Sequence, residues 1–94
     1  MPPQAESREK PRDVRMYFVY VLSSKTEQRL YIGSTAEPDV RLTAHNAGRV
    51  RSTRLWRPWN MVLLEQHPDR PTAQKRERYL KSGWGRRWLR QNLG

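Results

Sequence analysis

Five side chains in this sequence are of types that can carry out phosphate chemistry. Two tyrosines come first, an arginine and a histidine follow four residues apart, and a glutamate stands later: Tyr20, Tyr31, Arg41, His45 and Glu77. Hydrolysis of a phosphodiester bond needs a group that deprotonates or orients a water, a cation against the phosphate oxygens, and an acid or a divalent ion at the leaving oxygen. Arg41 can bind the phosphate, His45 or a tyrosine can handle the proton, and Glu77 can hold one Mg²⁺ (or Mn²⁺) through a single carboxylate.

Basic residues surround these candidates. The chain has 19 Lys and Arg against nine Asp and Glu, which gives a formal net charge of +10. Residues 1–40 hold six basic and six acidic side chains, whereas residues 41–94 hold 13 basic and three acidic ones. A charge excess in one half predicts a polyanionic partner, and we expect nucleic acid, DNA in particular. The cations expected to bind it are Arg49, Arg51, Arg54, Arg57, Lys75 and Lys81.

Each of these features also has an ordinary structural explanation. A tyrosine on a strand usually packs in a core, and an arginine or histidine on a helix usually faces solvent. Glu77 stands four residues before Lys81, which is the spacing of a favourable helical ion pair. Trp56 and Trp59 suit a core better than a stacking platform. The basic surface alone would suit a non-catalytic nucleic-acid-binding module, and the tryptophans could instead serve a scaffold that binds another protein.

The elements that must position these residues follow from the hydrophobic pattern. Short runs of aromatic and β-branched residues predict strands, and prolines at a first turn or glycines beyond a last turn predict helices. The predicted strands cover residues 16–22, 30–34 and 61–66. The predicted helices cover residues 38–47, 71–81 and 84–93. Gly83 and Gly85 are expected to separate the last two helices, and the third helix is expected to bury Trp88 and Leu89.

Two details of these elements bear on the candidate residues. A turn centred between Lys25 and Thr26 would place Tyr20 opposite Tyr31 on one face of the sheet. Gly33 would then end the strand or let another group approach its backbone closely. On the first helix, we expect the arginine–histidine pair on one face and the residues that contact the core on another. The residues expected to make those core contacts are Val40, Ala44 and Ala47.

Several functional classes are excluded by what the sequence lacks. There is no cysteine, so disulfides, thiol nucleophiles and zinc sites built on Cys are excluded, and two histidines are too few for a His-rich metal centre. The sequence has no run of about 18 apolar residues, so no membrane span is predicted. No apolar signal core follows the N-terminal charges, so we expect a cytoplasmic protein without a membrane partner. Residues 1–15 are expected to be a disordered arm, because they carry three prolines and few apolar side chains, and residues 16–94 to form one domain.

The order of the candidate residues resembles the GIY-YIG endonuclease superfamily. The second half-motif matches as written in Tyr31-Ile32-Gly33, whereas the first is Phe18-Val19-Tyr20 and keeps only the tyrosine of Gly-Ile-Tyr. An ordered set of matching residues over the whole domain is far more specific than a three-residue motif alone. The further matching groups, within about residues 16–93, are Gly33-Ser34-Thr35, Arg41-Leu42 with His45-Asn46, Arg57-Pro58-Trp59, and Ala73 with Arg76-Glu77 and Leu80-Lys81.

This resemblance implies a role for each candidate. Tyr31 looks like the tyrosine that activates or positions the attacking water, and Tyr20 looks like its partner in the same cleft. Arg41 resembles the phosphate-binding arginine, and His45 stands where the family assists proton transfer or contacts the phosphate. Glu77 resembles the sole protein ligand of the divalent metal.

The resemblance also implies a fold and an activity. The family fold is α+β, with a three-stranded antiparallel sheet flanked by helices. The excision-repair branch has a lysine directly after the YIG-type glycine, where this chain has Ser34, so the sequence looks more like the small single-domain group. The implied activity is that of a divalent-metal-dependent endonuclease on DNA, which recognises structure rather than sequence, in repair or recombination, with a protein partner that could supply specificity.

Overall fold

The strands of this chain form an antiparallel sheet with helices on both faces. The computed structural model describes residues 16–93, so the predicted arm over residues 1–15 and the final residue lie outside the described residues. The strands are β1 (Tyr17–Ser24), β2 (Leu30–Thr35) and β3 (Trp59–His67), in the order β2–β1–β3. The helices are α1 (Pro38–Asn46), α2 (Arg70–Lys81) and α3 (Gly83–Leu93). This arrangement confirms the predicted α+β fold.

The central strand β1 separates two clusters of buried side chains, because alternate residues of a strand point to opposite faces. On one face Val21 packs with Leu80 of α2 and with side chains of α3. On the other face Tyr20 packs with Trp59 of β3, and Leu42 of α1 lies against them. The helix α1 therefore covers one face of the sheet, and α2 and α3 cover the other.

The pairing of β1 with β2 differs from the predicted register. Tyr20 lies opposite Gly33, and Leu22 lies opposite Tyr31, so the expected Tyr20–Tyr31 pair is wrong by two residues. A shift of two residues leaves every side chain on its original face. The two tyrosine rings therefore still share the α1 face, with their centroids 6.1 Å apart.

The hairpin loop explains this difference in register. The side-chain oxygen of Ser24 accepts hydrogen bonds from the backbone N–H groups of Thr26 and Glu27, at 3.2 and 3.1 Å. The backbone N–H of Ser24 donates to the carbonyl of Arg29 at 3.0 Å. These bonds extend the first strand to Ser24 and move the centre of the turn towards the C-terminus.

The helix α1 presents a different face to the sheet from the one predicted. Val40 is 57% exposed and Ala47 is exposed, whereas His45 is completely buried and Leu42 packs on the aromatic cluster. The expectation of core contacts is therefore wrong for Val40 and Ala47, whereas Ala44 is half-buried. Two sets of side chains at helical spacing could face the sheet: the small apolar ones, and Leu42 with His45, which are three residues apart. The larger side chains occupy the buried face because they bury more surface.

The break between α2 and α3 also differs from the prediction. Asp69 caps α2 by accepting a hydrogen bond from the N–H of Thr72 at 2.9 Å, and the helix ends at Lys81. Gly83 begins α3, and Gly85 lies inside it, so Gly85 does not break the helix. A Cβ on Gly85 would overlap the carbonyl oxygen of Tyr79, so the glycine permits the close approach of α3 to the end of α2.

Further contacts of α2 and α3 complete the fold. Leu89 is 1% exposed, as expected, whereas Trp88 is only partly buried. Arg76 of α2 donates two hydrogen bonds to the carboxylate of Glu65 in β3, each 3.0 Å long. This bidentate pair ties α2 to the edge strand β3. Within residues 16–93, the helices are too short or too polar to cross a bilayer.

Candidate active site

The hydroxyl of Tyr20 is the innermost of the candidate groups. The residue comes from the central strand and is 1% exposed. Its ring lies across Gly33 of β2, where a Cβ would come within 2.7 Å of the Tyr20 hydroxyl oxygen. The glycine of the second half-motif is therefore required by the tyrosine of the first. That hydroxyl lies 3.0 Å from Nε2 of His45.

Both ring nitrogens of His45 have partners. Nδ1 lies 2.8 Å from the side-chain oxygen of Thr53, which itself donates to the carbonyl of Val50 at 3.3 Å. Because the Thr53 proton is used on that carbonyl, its oxygen accepts from Nδ1–H. Nε2 then has no proton and accepts from the Tyr20 hydroxyl. The result is a directed chain of hydrogen bonds that runs from Tyr20 through His45 and Thr53 to the backbone.

The protonation states follow from this environment. Burial, and then the positive charge of Arg41, lowers the pKa of His45 to about 4, so the ring is neutral at pH 7. Burial raises the pKa of Tyr20 above its ordinary value, although Arg41 acts in the opposite direction. A neutral histidine and a protonated tyrosine agree with the direction of the hydrogen bond between them.

Tyr31 and Arg41 complete the group on the α1 face. The Tyr31 ring centroid lies 4.7 Å from that of His45, and the residue is half-buried. The nearby Tyr20 hydroxyl, and more weakly Tyr31, raises the pKa of Arg41, although burial acts in the opposite direction. The structure thus brings Tyr20, Tyr31, Arg41 and His45 together, as their order in the sequence led us to expect.

Glu77 lies on the other side of β2. Its carboxylate accepts a hydrogen bond from the Ser34 hydroxyl at 2.6 Å and pairs with Lys81 at 2.7 Å. Ser34 follows Gly33 in the strand and points to the opposite face, towards α2. The predicted site is therefore divided by one strand, with four groups on the α1 face of the sheet and the glutamate, which α2 carries, on the other face. The ordinary explanation for Glu77, an ion pair with Lys81, is present in the structure.

A pocket of about 340 Å³ opens beside Tyr31 at the edge of the sheet. Arg29 borders it and stacks on Trp56, with 4.0 Å between its guanidinium carbon and the ring centroid. Arg86 of α3 borders it from the opposite face of the sheet. Because β2 is an edge strand, groups from both faces reach this pocket. Its other lining residues are Gln28, Leu30, Ser52, Thr53 and Trp59.

The cations predicted to bind nucleic acid are all exposed. They occupy two regions: Arg49, Arg51, Arg54 and Arg57 follow α1, whereas Lys75 and Lys81 lie on α2. Two of them have protein contacts as well. Arg57 folds back to donate to the Arg54 carbonyl at 2.7 Å, and Lys81 pairs with Glu77. Their binding of nucleic acid stays a prediction.

Sequence reasoning missed Thr53, Arg86 and the role of Ser34. Thr53 is 2% exposed, although it stands in a loop rich in arginine that gives no hydrophobic signal. Only the need of a buried histidine for a second polar partner could have pointed to it. In the sequence, Ser34 stands out only because the excision-repair branch has a lysine at this position. Its hydrogen bond to Glu77 depends on the packing of α2 on β2. Trp59, expected in the core, is 4% exposed.

Comparison with known proteins agrees with this geometry. The chain matches the family model described as the GIY-YIG catalytic domain over residues 16–90. It is 39% identical over 67 residues to a UPF0213 protein of Clostridium perfringens, and the match covers 70% of this chain and 71% of that protein. It is 46% identical over 55 residues to the structure-specific endonuclease subunit slx1 of Neurospora crassa, which covers 52% of this chain. The chain spans only 14% of the length of that relative.

The fold has a counterpart among solved structures. The solution NMR structure of a UPF0213 protein from Bacillus halodurans superposes with a TM-score of 0.51 at 27% sequence identity. The superposition covers 84% of this chain and 86% of the other. The domain match spans the strands, α1, α2 and most of α3, and it confirms the resemblance carried by Tyr20 and Tyr31-Ile32-Gly33. The chain therefore belongs to the GIY-YIG family.

Proposed function

We propose that this chain is a divalent-metal-dependent endonuclease that hydrolyses phosphodiester bonds in DNA. The observation that carries the proposal is the convergence of Tyr20 and Tyr31 of the sheet with Arg41 and His45 of α1. A buried neutral histidine held between two hydroxyls, with a guanidinium beside them, contributes little to attraction for a polyanion. Such an arrangement suits a reaction in which a water is oriented and a phosphate is held.

Arg41 is the group suited to hold the phosphate. Its guanidinium is always charged and offers five N–H donors in a planar fork, which matches two phosphate oxygens. The Arg41 guanidinium interacts with both tyrosine side chains. A phosphate bound to this guanidinium would therefore lie next to Tyr20 and Tyr31. The charge of Arg41 would oppose the negative charge that builds on the phosphate oxygens in the transition state.

The two tyrosines have different parts in this proposal. Tyr20 is buried and donates its proton to His45, so it supports the cleft from within. Tyr31 is half-buried and borders the open pocket, where a water can reach it. We assign the orientation of the attacking water to Tyr31. His45, which is neutral at pH 7, is the acceptor available for a proton that passes through the Tyr20 hydroxyl.

The surroundings of Glu77 fit a hydrated divalent ion. Burial acts to raise its pKa, but hydrogen bonds from Lys81 and Ser34 lower it below the ordinary value, so the carboxylate is ionised. Within residues 16–93, no group of three or more His, Cys, Asp or Glu could enclose an ion. A single carboxylate suits Mg²⁺ or Mn²⁺, because Mg²⁺ usually keeps several of its waters. The chemistry that such an ion supplies is neutralisation of charge at the leaving oxygen.

The position of Lys81 is consistent with that fit. Ser34 holds one carboxylate oxygen of Glu77, and the Lys81 ammonium, on a side chain that is 50% exposed, holds the other. An exposed ammonium on a flexible stem is easily displaced. Glu77 and the Ser34 hydroxyl are therefore the residues that would hold the metal.

The relatives support a finer statement about the substrate. One of them is named a structure-specific endonuclease subunit, although this chain spans a small part of its length. We propose that this chain likewise prefers branched or partly unpaired DNA, in repair or recombination, and that a partner protein supplies specificity. The surplus of basic over acidic residues after residue 40 supports attraction for the backbone without base-specific contacts.

The experiment is a gel cleavage assay on single-stranded, duplex and branched DNA, with Mg²⁺, Mn²⁺ or EDTA. Glu77→Gln should reduce metal-dependent cleavage by roughly 100-fold or more, while DNA affinity in EDTA stays equal or increases. Glu27→Gln is the matched control, because it removes one exposed negative charge from the hairpin loop and should cleave as wild type does. Full activity of Glu77→Gln would contradict the role of this carboxylate.

A non-catalytic nucleic-acid-binding module is the second candidate. It is favoured by the fact that both oxygens of Glu77 already have protein partners. In that case the wild-type protein would bind DNA with a strong salt dependence and cleave none of the substrates in any metal. Cleavage that depends on Mg²⁺ and disappears in EDTA would exclude it.

A further inference from the structure

Trp84, at the start of α3, is an exposed aromatic side chain without a place in the site described above. It is 70% exposed, whereas Trp59 is 4% exposed and Trp56 and Trp88 are partly buried. A large indole usually hides most of its surface when a protein folds, because burial of an aromatic side chain is strongly favourable. Its exposure in a chain with few apolar residues therefore indicates a surface that another molecule contacts.

The surroundings of Trp84 are positively charged. The guanidinium carbon of Arg87 lies 5.7 Å from the centroid of the indole ring. Trp84, Arg87 and Arg90 line a pocket of about 470 Å³ together with Gly83. A Cβ on Gly83 would meet nothing within 4 Å, so space is open beside the ring. In the sequence, no acidic residue follows Glu77.

We propose that this pocket binds an unpaired nucleotide, with its base stacked on the Trp84 indole and its phosphates beside Arg87 and Arg90. The proposal deepens the proposed function, because it rests on nucleic acid being the substrate. An aromatic face flanked by cations suits a base and its phosphate together, whereas an apolar partner surface would place Arg87 and Arg90 against uncharged groups. A base inside a duplex has both faces stacked already, so only an unpaired base can occupy the site.

The position of α3 relates this pocket to the candidate active site. Arg86 borders the pocket beside Tyr31, while Trp84 and Arg87 face the second pocket from the same helix. An α-helix is about 10–12 Å thick, which is roughly the length of three stacked nucleotides. A strand that passes over α3 could therefore place an unpaired base on Trp84 and a phosphate near Tyr31. The unpaired nucleotide would thus mark the place of cleavage next to it.

The test measures affinity by fluorescence anisotropy in EDTA, with a labelled single strand and a labelled blunt-ended duplex of two complementary strands, which has no unpaired bases. Trp84→Ala should weaken binding of the single strand by roughly 5- to 150-fold, the usual range for the loss of one stacked base, and leave the duplex nearly unaffected. Trp84→Phe should keep most of the affinity, because it keeps a stacking face. Val40→Ala is the matched control, since Val40 is 57% exposed on α1, outside both pockets.

The outcomes separate this inference from the proposed function. If wild type binds both nucleic acids and Trp84→Ala binds the single strand as tightly, the stacking site is wrong while the endonuclease proposal stands. If wild type binds neither at low salt, the proposed function itself fails. Equal losses for single strand and duplex would assign Trp84 to general packing of α3 and overturn the preference for an unpaired base. Circular dichroism of each variant excludes unfolding as the cause.

Discussion

A chain of three hydrogen bonds determines how the residues of the candidate site behave. The Thr53 hydroxyl fixes the tautomer of His45, and that tautomer directs the proton of Tyr20 inward. Protonation of this ring would place a second positive charge beside Arg41 in a buried position. The low pKa of His45 is thus a consequence of burial first and of the Arg41 charge second.

The stability of the folded protein should fall as the pH falls through the range of His45. The unfolded chain binds a proton near the ordinary pKa of 6.5, whereas the folded chain does so only near pKa 4. The contribution is therefore complete above pH 6.5 and is lost towards pH 4. Between pH 6.5 and 5 the free energy of unfolding should drop by about 1.5 kcal/mol. Urea titrations at several pH values measure it.

The matched variant for this measurement is His45→Gln. It cannot titrate in this range, so its stability should be nearly constant between pH 6.5 and 5, although lower overall. Glu65 and Glu77 add little there, because the ordinary pKa of a glutamate, about 4.3, already lies below this window and their folded-state pKa values are lower still. An unchanged slope in His45→Gln would show that another group causes the pH dependence.

The Tyr31 hydroxyl should matter for turnover and hardly for stability. Tyr31 borders the pocket, and Tyr31→Phe keeps its ring beside His45 and removes only the hydroxyl oxygen. We expect cleavage to slow by roughly 100-fold, the scale of a positioned proton-transfer group, with little change in the thermal midpoint. Tyr79→Phe is the control, since Tyr79 is a 41% exposed tyrosine on α2. Wild-type cleavage by Tyr31→Phe would assign its hydroxyl to packing.

Elements were more predictable than the contacts between them. The three strands and three helices follow from local patterns, and the Pro-led starts and the end of α2 at Lys81 agree with the structure. The register of β1 with β2 depends on hydrogen bonds to the Ser24 side chain, which no periodicity reveals. The core face of α1 depends on the partners of His45. The separation of Glu77 from the tyrosines depends on which face α2 covers.

Gly85 should be indispensable to the packing of α3 on α2. A Cβ at this position would overlap backbone atoms of Tyr79 and Leu80, which cannot rotate away. Gly85→Ala should therefore lower the free energy of unfolding by about 2–3 kcal/mol. Gly83→Ala is the matched control, because it meets nothing within 4 Å and replaces glycine by a better helix former. Chemical denaturation of the two variants side by side measures the difference.

Either of two results would contradict this account of the α2–α3 junction. Equal stability of Gly85→Ala and wild type would show that the two helices can move apart without cost. Equal destabilisation by both substitutions would show that glycine is needed at the helix start for another reason. In the sequence alone the two glycines are indistinguishable, since both stand between helical patterns.

At the scale of the whole molecule, charge is spread over more than one surface. Exposed arginines follow α1, and further arginines lie along α3 beside the candidate site. Glu65 is engaged by Arg76, and Glu77 by Lys81, so two of the three acids after residue 40 are paired. The unpaired cations therefore dominate the long-range field.

Binding of DNA should depend strongly on salt. If several phosphates are neutralised, affinity should fall by about tenfold or more between 50 and 200 mM salt through counterion release. The double variant Arg51→Ala and Arg54→Ala should bind all sequences more weakly and show a shallower salt dependence. Anisotropy titrations over a salt series measure both quantities. A flat response to salt would contradict the nucleic-acid assignment of this basic half.

The position of Tyr20 has a consequence for how this protein can change over time. It is the largest fully buried side chain and also the hydroxyl that meets His45, so the layer beneath α1 serves packing and chemistry with the same atoms. The buried layer of Val21, Leu80 and Leu89 on the other face is aliphatic, with Tyr17 and Trp88 packed at its margin. A lineage can exchange aliphatic side chains there while the cleft keeps its shape, whereas a change in volume beneath α1 moves a reacting group. Selection for heat tolerance should therefore accumulate substitutions beneath α2 and α3, and selection for altered turnover should accumulate them beneath α1.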